Sequence, residues 1–154
     1  MNLPHLIDEY ERATQVLLDA AFSVAPRDLD RHVEGAWSAR QVIHHMADAE
    51  TNSYVRLRRL LAEAPGTVIQ GYDEAAWATC DELGYTDLAV EHPLRVFDAV
   101  RAASLDVLRR IGPQDLAREG VHTESGPYTL EAWLETYVRH PLEHAAQLLE
   151  AARA

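Results

Sequence analysis

Apolar residues recur at three- and four-residue steps in four long stretches of the chain, the spacing that lines one face of an α-helix. The first stretch carries Leu6, Tyr10, Ala13, Leu17, Ala20 and Val24 behind Pro4, and predicts a helix over about residues 4–24. Pro26 and the polar run to Gly35 end it, with room for a short turn at Arg27–Asp30. A second helix opens at Ser38, placed as its N-cap, and runs to about residue 63, before Pro65-Gly66. Its rows include Val42, His45, Ala49, Asn52 and Arg56, flanked by Ile43, Met46, Tyr54, Leu57 and Leu61.

The connection to about residue 91 is long for a compact domain, with a short helix predicted at Tyr72–Trp77. Pro93 suits the first turn of a third helix, striped by Leu94, Phe97, Val100, Ser104, Leu108 and Ile111 and closed by Gly112-Pro113. Residues 114–128 read as a loop or a short hairpin around Ser125-Gly126. Thr129 can cap a fourth helix with Trp133, Tyr137, His140, His144 and Gln147 in one row. Four amphipathic helices and no clear strand predict an all-α four-helix bundle, one domain over residues 1–154, whose long connections leave the topology open.

A chain of 154 residues can bury a full core without staples, and its single cysteine, Cys80, excludes an internal disulfide. The formal charge of −11 disfavours nucleic acid and anionic lipid as partners. No apolar run reaches the roughly 20 residues that span a bilayer, and acidic residues in the first turns do not resemble a signal peptide. A cytoplasmic protein acting on a small molecule is the expectation.

The candidate chemistry lies in the histidines. His140 and His144, four apart, stand one turn above each other with Cβ atoms about 5–6 Å apart. They share their row with Trp133 and Tyr137, so both should face inward. His45 lies among Val42, Met46 and Ala49 and should also face inward, whereas His44, rotated by about 100°, should face outward. Three imidazoles in an apolar interior are costly unless hydrogen-bonded or bound to an ion. As ligands of one divalent ion they would leave a coordination position open, for water or for a thiolate. Asp48 and Glu50, near His45, and Glu143 are candidates to orient a ring or shuttle a proton. Asn52 and Arg56 continue the His45 row as a pocket wall, or as structural polar residues. Pro141 complicates the pair, because it removes a helix hydrogen bond, costs about 3 kcal/mol in a helix interior and biases His140 away from helical geometry. The apolar row nevertheless continues through Ala145, Leu148 and Ala152, which favours a helix tolerating the proline.

The run Trp37-Ser38-Ala39-Arg40-Gln41-Val42-Ile43-His44-His45-Met46-Ala47-Asp48, with Asn52-Ser53-Tyr54 and Arg56, resembles the DinB/YfiT-like family of metalloenzymes. Three later stretches fit in the same order: Tyr72-Asp73-Glu74 with Trp77, Val121–Gly126, and Tyr137-Val138 with His140, His144 and Gln147. The resemblance covers roughly residues 30–150. It implies an up-down-down-up bundle, usually a homodimer, and one divalent metal, zinc or nickel, on His45, His140 and His144. From their places beside and along the His45 row, Glu50, Asn52 and Arg56 are the residues expected to serve catalysis. The chain departs from the pattern at Glu50, Leu142, Glu143 and Gln147, where close members carry further histidines, and at Pro141. Related members are metal-dependent hydrolases, or enzymes that use the metal to activate a low-molecular-weight thiol, such as bacillithiol S-transferases and mycothiol-dependent maleylpyruvate isomerase. A hydrolase is the leading expectation. A thiol S-transferase and a noncatalytic metal-stabilised binding module are the alternatives.

Overall fold

The computed structural model describes residues 2–154. Four long helices form the bundle: α1 (Leu3–Ser23), α2 (Ala39–Ala62), α4 (Glu91–Leu108) and α5 (Leu130–Ala152), with a short α3 (Glu74–Thr79) between α2 and α4. Three of the long helices start where a side chain satisfies a free backbone N–H. Asn2 accepts from the His5 amide at 2.9 Å and Thr129 from the Ala132 amide at 3.1 Å. Ser38 and Gln41 cap each other's amides reciprocally, at 3.2 and 2.9 Å.

Two apolar clusters set the directions of the helices. One gathers the C-terminal half of α1 (Leu17, Leu18), the start of α2 (Val42, Ile43, Met46), the start of α4 (Leu94, Phe97) and the end of α5 (Ala145, Leu148). The other joins the start of α1 (Leu3, Leu6, Tyr10) and of α5 (Leu130, Trp133, Leu134) to the ends of α2 (Leu57, Leu60) and α4 (Leu108). So α1 and α5 run one way and α2 and α4 the other, an up-down-down-up order. Both α1 and α2 pack chiefly on α4 and α5, which sets α1 across from α2 and α4 across from α5.

The short hairpin considered around Ser125-Gly126 is present and belongs to a small three-stranded sheet whose first strand was not expected: β1 (Val68–Ile69), β2 (Glu119–His122) and β3 (Gly126–Thr129). β1 pairs in parallel with β2, and β2 with β3 as a hairpin turning at Gly126, where φ is 80°. Strands of two to four residues are too short to show a period of two. β1 approaches so closely that a Cβ on Gly120 would lie 2.7 Å from the Thr67 carbonyl oxygen. No helix among the described residues is long and apolar enough to cross a membrane.

Candidate metal centre

α2 and α5 lie side by side and antiparallel, and the histidine rows meet along their seam. One ring nitrogen each of His45, His140 and His144 falls within 4.8 Å of the other two. The His140 Nε2 stands 3.4 Å from the His45 Nε2 and 3.0 Å from the His144 Nε2. Nitrogens held at zinc–nitrogen bond lengths in a tetrahedron stand about 3.3 Å apart, so the cluster fits a single small cation.

His144 and His45 are held from outside the cluster. His144 Nδ1–H donates to Gln147 Oε1 at 2.6 Å, which leaves the Nε2 lone pair directed inward. The Trp37 ring, immediately before the α2 cap, packs at 5.0 Å on the His45 ring. The Nδ1 atoms of His45 and His140 are buried without a hydrogen-bond partner among the described residues. Burial, reinforced by His144, pushes the His45 pKa down to about 4. Burial, with His144 and His45 adding to it, takes His140 to about 3. His144 is also lowered by burial, with the Gln147 hydrogen bond opposing. At neutral pH all three rings are therefore uncharged, the form that binds a metal.

Pro141 does not end the helix: α5 is continuous through it, and the residue is buried. His44, expected to face outward, is buried, with Nε2 3.0 Å from the Leu88 carbonyl oxygen and its ring stacked on Tyr85. The long connection folds back over this part of α2, which the α2 pattern alone could not reveal.

The acidic candidates separate. Glu50 is fully enclosed: Arg101 Nη1 donates to its Oε1 at 3.1 Å and the Ser53 hydroxyl to its Oε2 at 2.7 Å. Burial pushes its carboxyl above the usual range, and Arg101 and Ser53 draw it back. Asp48 is half-buried, one turn along α2 from His45, and its Oδ2 accepts from the Tyr85 hydroxyl at 2.5 Å. Burial raises its pKa, against that hydrogen bond. Glu143 is exposed and paired with Arg139. The Asn52 side-chain amide donates to the Asp48 carbonyl at 2.9 Å. Arg56 donates to the Tyr137 hydroxyl at 3.0 Å and to the Gln70 carbonyl at 2.9 Å, while its Nε is buried and unpartnered. The structure thus brings the three histidines together, leaves Asn52 and Arg56 farther along α2, and turns Glu50 toward α4. Arg101 and Tyr85 went unnoticed in the sequence. A signal for Arg101 existed, because it falls four residues after Phe97 in the apolar stripe of α4.

A model of the DinB superfamily matches residues 9–148. A protein of Oceanobacillus iheyensis named "putative metal-dependent hydrolase" is 33% identical over 143 residues, covering 92% of this chain and 81% of that one. One of the same name from Bacillus mycoides is 32% identical, over 92% and 80% of the two chains. Among solved structures, YfiT from Bacillus subtilis, described as "a probable metal-dependent hydrolase with an unusual four-helix bundle topology", superposes with a TM-score of 0.86 at 29% identity, over 98% of this chain and 86% of that one. TT2238, described as a four-helix bundle protein, shares the fold with a TM-score of 0.67 at 23% identity, over 97% and 99% of the chains.

Proposed function

The chain belongs to the DinB superfamily, and we propose that within it this protein is a metal-dependent hydrolase whose divalent ion is held by His45, His140 and His144. The observation that carries the reading is the convergence on one point of three uncharged imidazoles from two helices, His45 buried and His140 and His144 partly buried. The names of the relatives, matched over about four-fifths of their length, support it. Imidazole donors suit zinc, nickel, iron or copper, and of these we take zinc and nickel as the ions to test. Bound there, such an ion supplies Lewis acidity and brings the pKa of a coordinated water down, to about 7 for zinc.

The protein's own residues orient the ligands and handle the proton. Gln147 fixes the tautomer of His144, and Trp37 covers one flank of His45. Asp48 is the carboxylate suited to accept a proton, because Tyr85 engages only Oδ2 and Oδ1 carries no hydrogen bond among the described residues. Glu50, with both oxygens engaged, holds the frame. Asn52 and Arg56 wall the substrate side, where the Arg56 cation suits an anionic or carbonyl oxygen of the substrate.

The same Arg56 cation favours a second reading, transfer of a low-molecular-weight thiol, since such thiols commonly carry carboxylates. Ester and amide panels assayed with and without added thiol separate the two. The hydrolase reading expects turnover without thiol that a chelator abolishes and zinc or nickel restores. Turnover only with thiol would establish the transferase, and none in either arm would remove the enzyme reading.

A further inference from the structure

We propose that Arg101, anchored by Glu50, is a positioning residue for the metal site: its guanidinium replaces the backbone N–H that Pro141 lacks and so fixes the turn of α5 from Tyr137 to Pro141 that carries His140. The inference rests on those histidines being the metal ligands.

In an α-helix the amide of residue 141 would donate to the carbonyl of Tyr137, four residues back. Proline has no such donor, and its ring strains the preceding turn. The Tyr137 carbonyl would then be a stranded acceptor inside the bundle, in the turn that leads into His140. Arg101 Nη1 donates to this carbonyl at 2.7 Å and, 3.1 Å away, to Glu50 Oε1, so that both hydrogens of one nitrogen are used. Its Nη2 donates to the Tyr10 carbonyl at 2.7 Å and its Nε to the Thr14 hydroxyl at 2.7 Å. The guanidinium carbon lies 3.5 Å over the Tyr10 ring, and Arg101 is 1% exposed. Ser53 holds the other Glu50 oxygen. All four long helices are thereby tied to one planar cation at the level where α5 carries its proline.

This arrangement explains how His140 stays helical directly before a proline, where the helical region is disfavoured. A helix interrupted at this turn opens or bends unless the freed carbonyl finds another donor. Any such bend falls in the turn from Tyr137 to Pro141, which carries His140, and would shift that ring against His144 and His45, whose Nε2 atoms stand 3.0 and 3.4 Å from its own. Arg101 touches no ligand ring in this scheme; it acts through the backbone of Tyr137.

The test uses the intact chain and the rescue that a merely structural Arg101 would not show. Zinc affinity is measured by competition with a chromophoric chelator, beside the absorption spectrum of cobalt-loaded samples, for four chains: unmodified, Glu50→Gln/Arg101→Met, Pro141→Ala, and the triple variant. The paired change removes both charges together. It is expected to weaken zinc binding about ten- to a hundredfold, and Pro141→Ala, by restoring the amide, to bring the triple variant back within about threefold of the unmodified chain. Pro141→Ala alone should change affinity little. Unaltered zinc binding in the paired variant, or a loss that Pro141→Ala fails to recover, would overturn the proposal. If circular dichroism shows the paired variant unfolded, Arg101→Lys takes its place. Its single ammonium keeps the charge beside Glu50 but cannot serve the carboxylate, two carbonyls and a hydroxyl together, so the same loss and the same rescue are expected and their absence is equally fatal. An unmodified chain that binds no zinc would instead remove the histidine site itself, an outcome distinct from intact binding in every variant.

Discussion

His144 donates through Nδ1 to Gln147 Oε1 at 2.6 Å, one turn along the same face of α5. The bond selects the tautomer whose Nε2 lone pair faces His45 and His140. Gln147→Leu removes the acceptor without adding charge, and is expected to lower zinc affinity about ten- to a hundredfold while leaving the melting temperature of the metal-free protein nearly unchanged. Gln147→Glu should strengthen binding, because a carboxylate makes the ring a better donor. Competition titrations on the two variants check both signs.

Asp48 and Tyr85 form the second relationship that can be tested. With Asp48 as proton acceptor, Asp48→Asn should reduce kcat by about 10²–10⁴ with metal content intact. Tyr85→Phe removes a hydrogen bond that lowers the Asp48 pKa, so the acidic limb of the pH–rate profile should move upward. A Tyr85→Phe profile that stays in place would show that another group titrates there.

The Glu50–Arg101 pair lies wholly out of contact with water. Loss of one partner strands a charge inside the bundle, so Arg101→Met alone is expected to cost about 3–5 kcal/mol of stability. Replacing both partners with apolar residues, Glu50→Leu/Arg101→Met, should cost less than the sum of the single changes. Urea denaturation of the metal-free proteins measures this, and strictly additive costs would contradict the coupling.

Acid should act on the metal-free protein through the histidines. Burial depresses His45 to about 4 and His140 to about 3 in the fold, against 6.5 for the free side chain. Below about 6.5 the unfolded chain therefore binds more protons than the native one. Stability is fully present above that value and falls as the pH drops from it through 4. Thermal melts of chelator-treated protein across this window should show a continuous decline, and a flat profile would contradict the burial of uncharged rings.

The parts of the fold that depend on neighbours in sequence were legible before the structure. Ser38 and Thr129 cap their helices, Pro93 sits in the first turn of α4, and the rows through His45 and through His140 and His144 face the interior. The direction of each helix was not legible from spacing, because connections of more than ten residues allow either neighbour; the family resemblance supplied the up-down-down-up order. β1 escaped because two residues carry no periodicity. Glu50 gave a similar difficulty: its position one turn from the His45 row does not reveal that its true neighbour is Arg101, 51 residues on. The burial of His44 likewise depends on Leu88 and Tyr85, which reach it from a distant loop. Pro141 looked like a defect on its own helix, and its compensation comes from a different one.

Metal content tests the central claim most directly. Elemental analysis of purified protein, beside His45→Ala, His140→Ala and His144→Ala, should find about one divalent ion per chain in the unmodified protein and a marked loss in each variant, with helical circular dichroism retained. Three alanine variants that keep the full complement of metal would contradict a site built from these imidazoles.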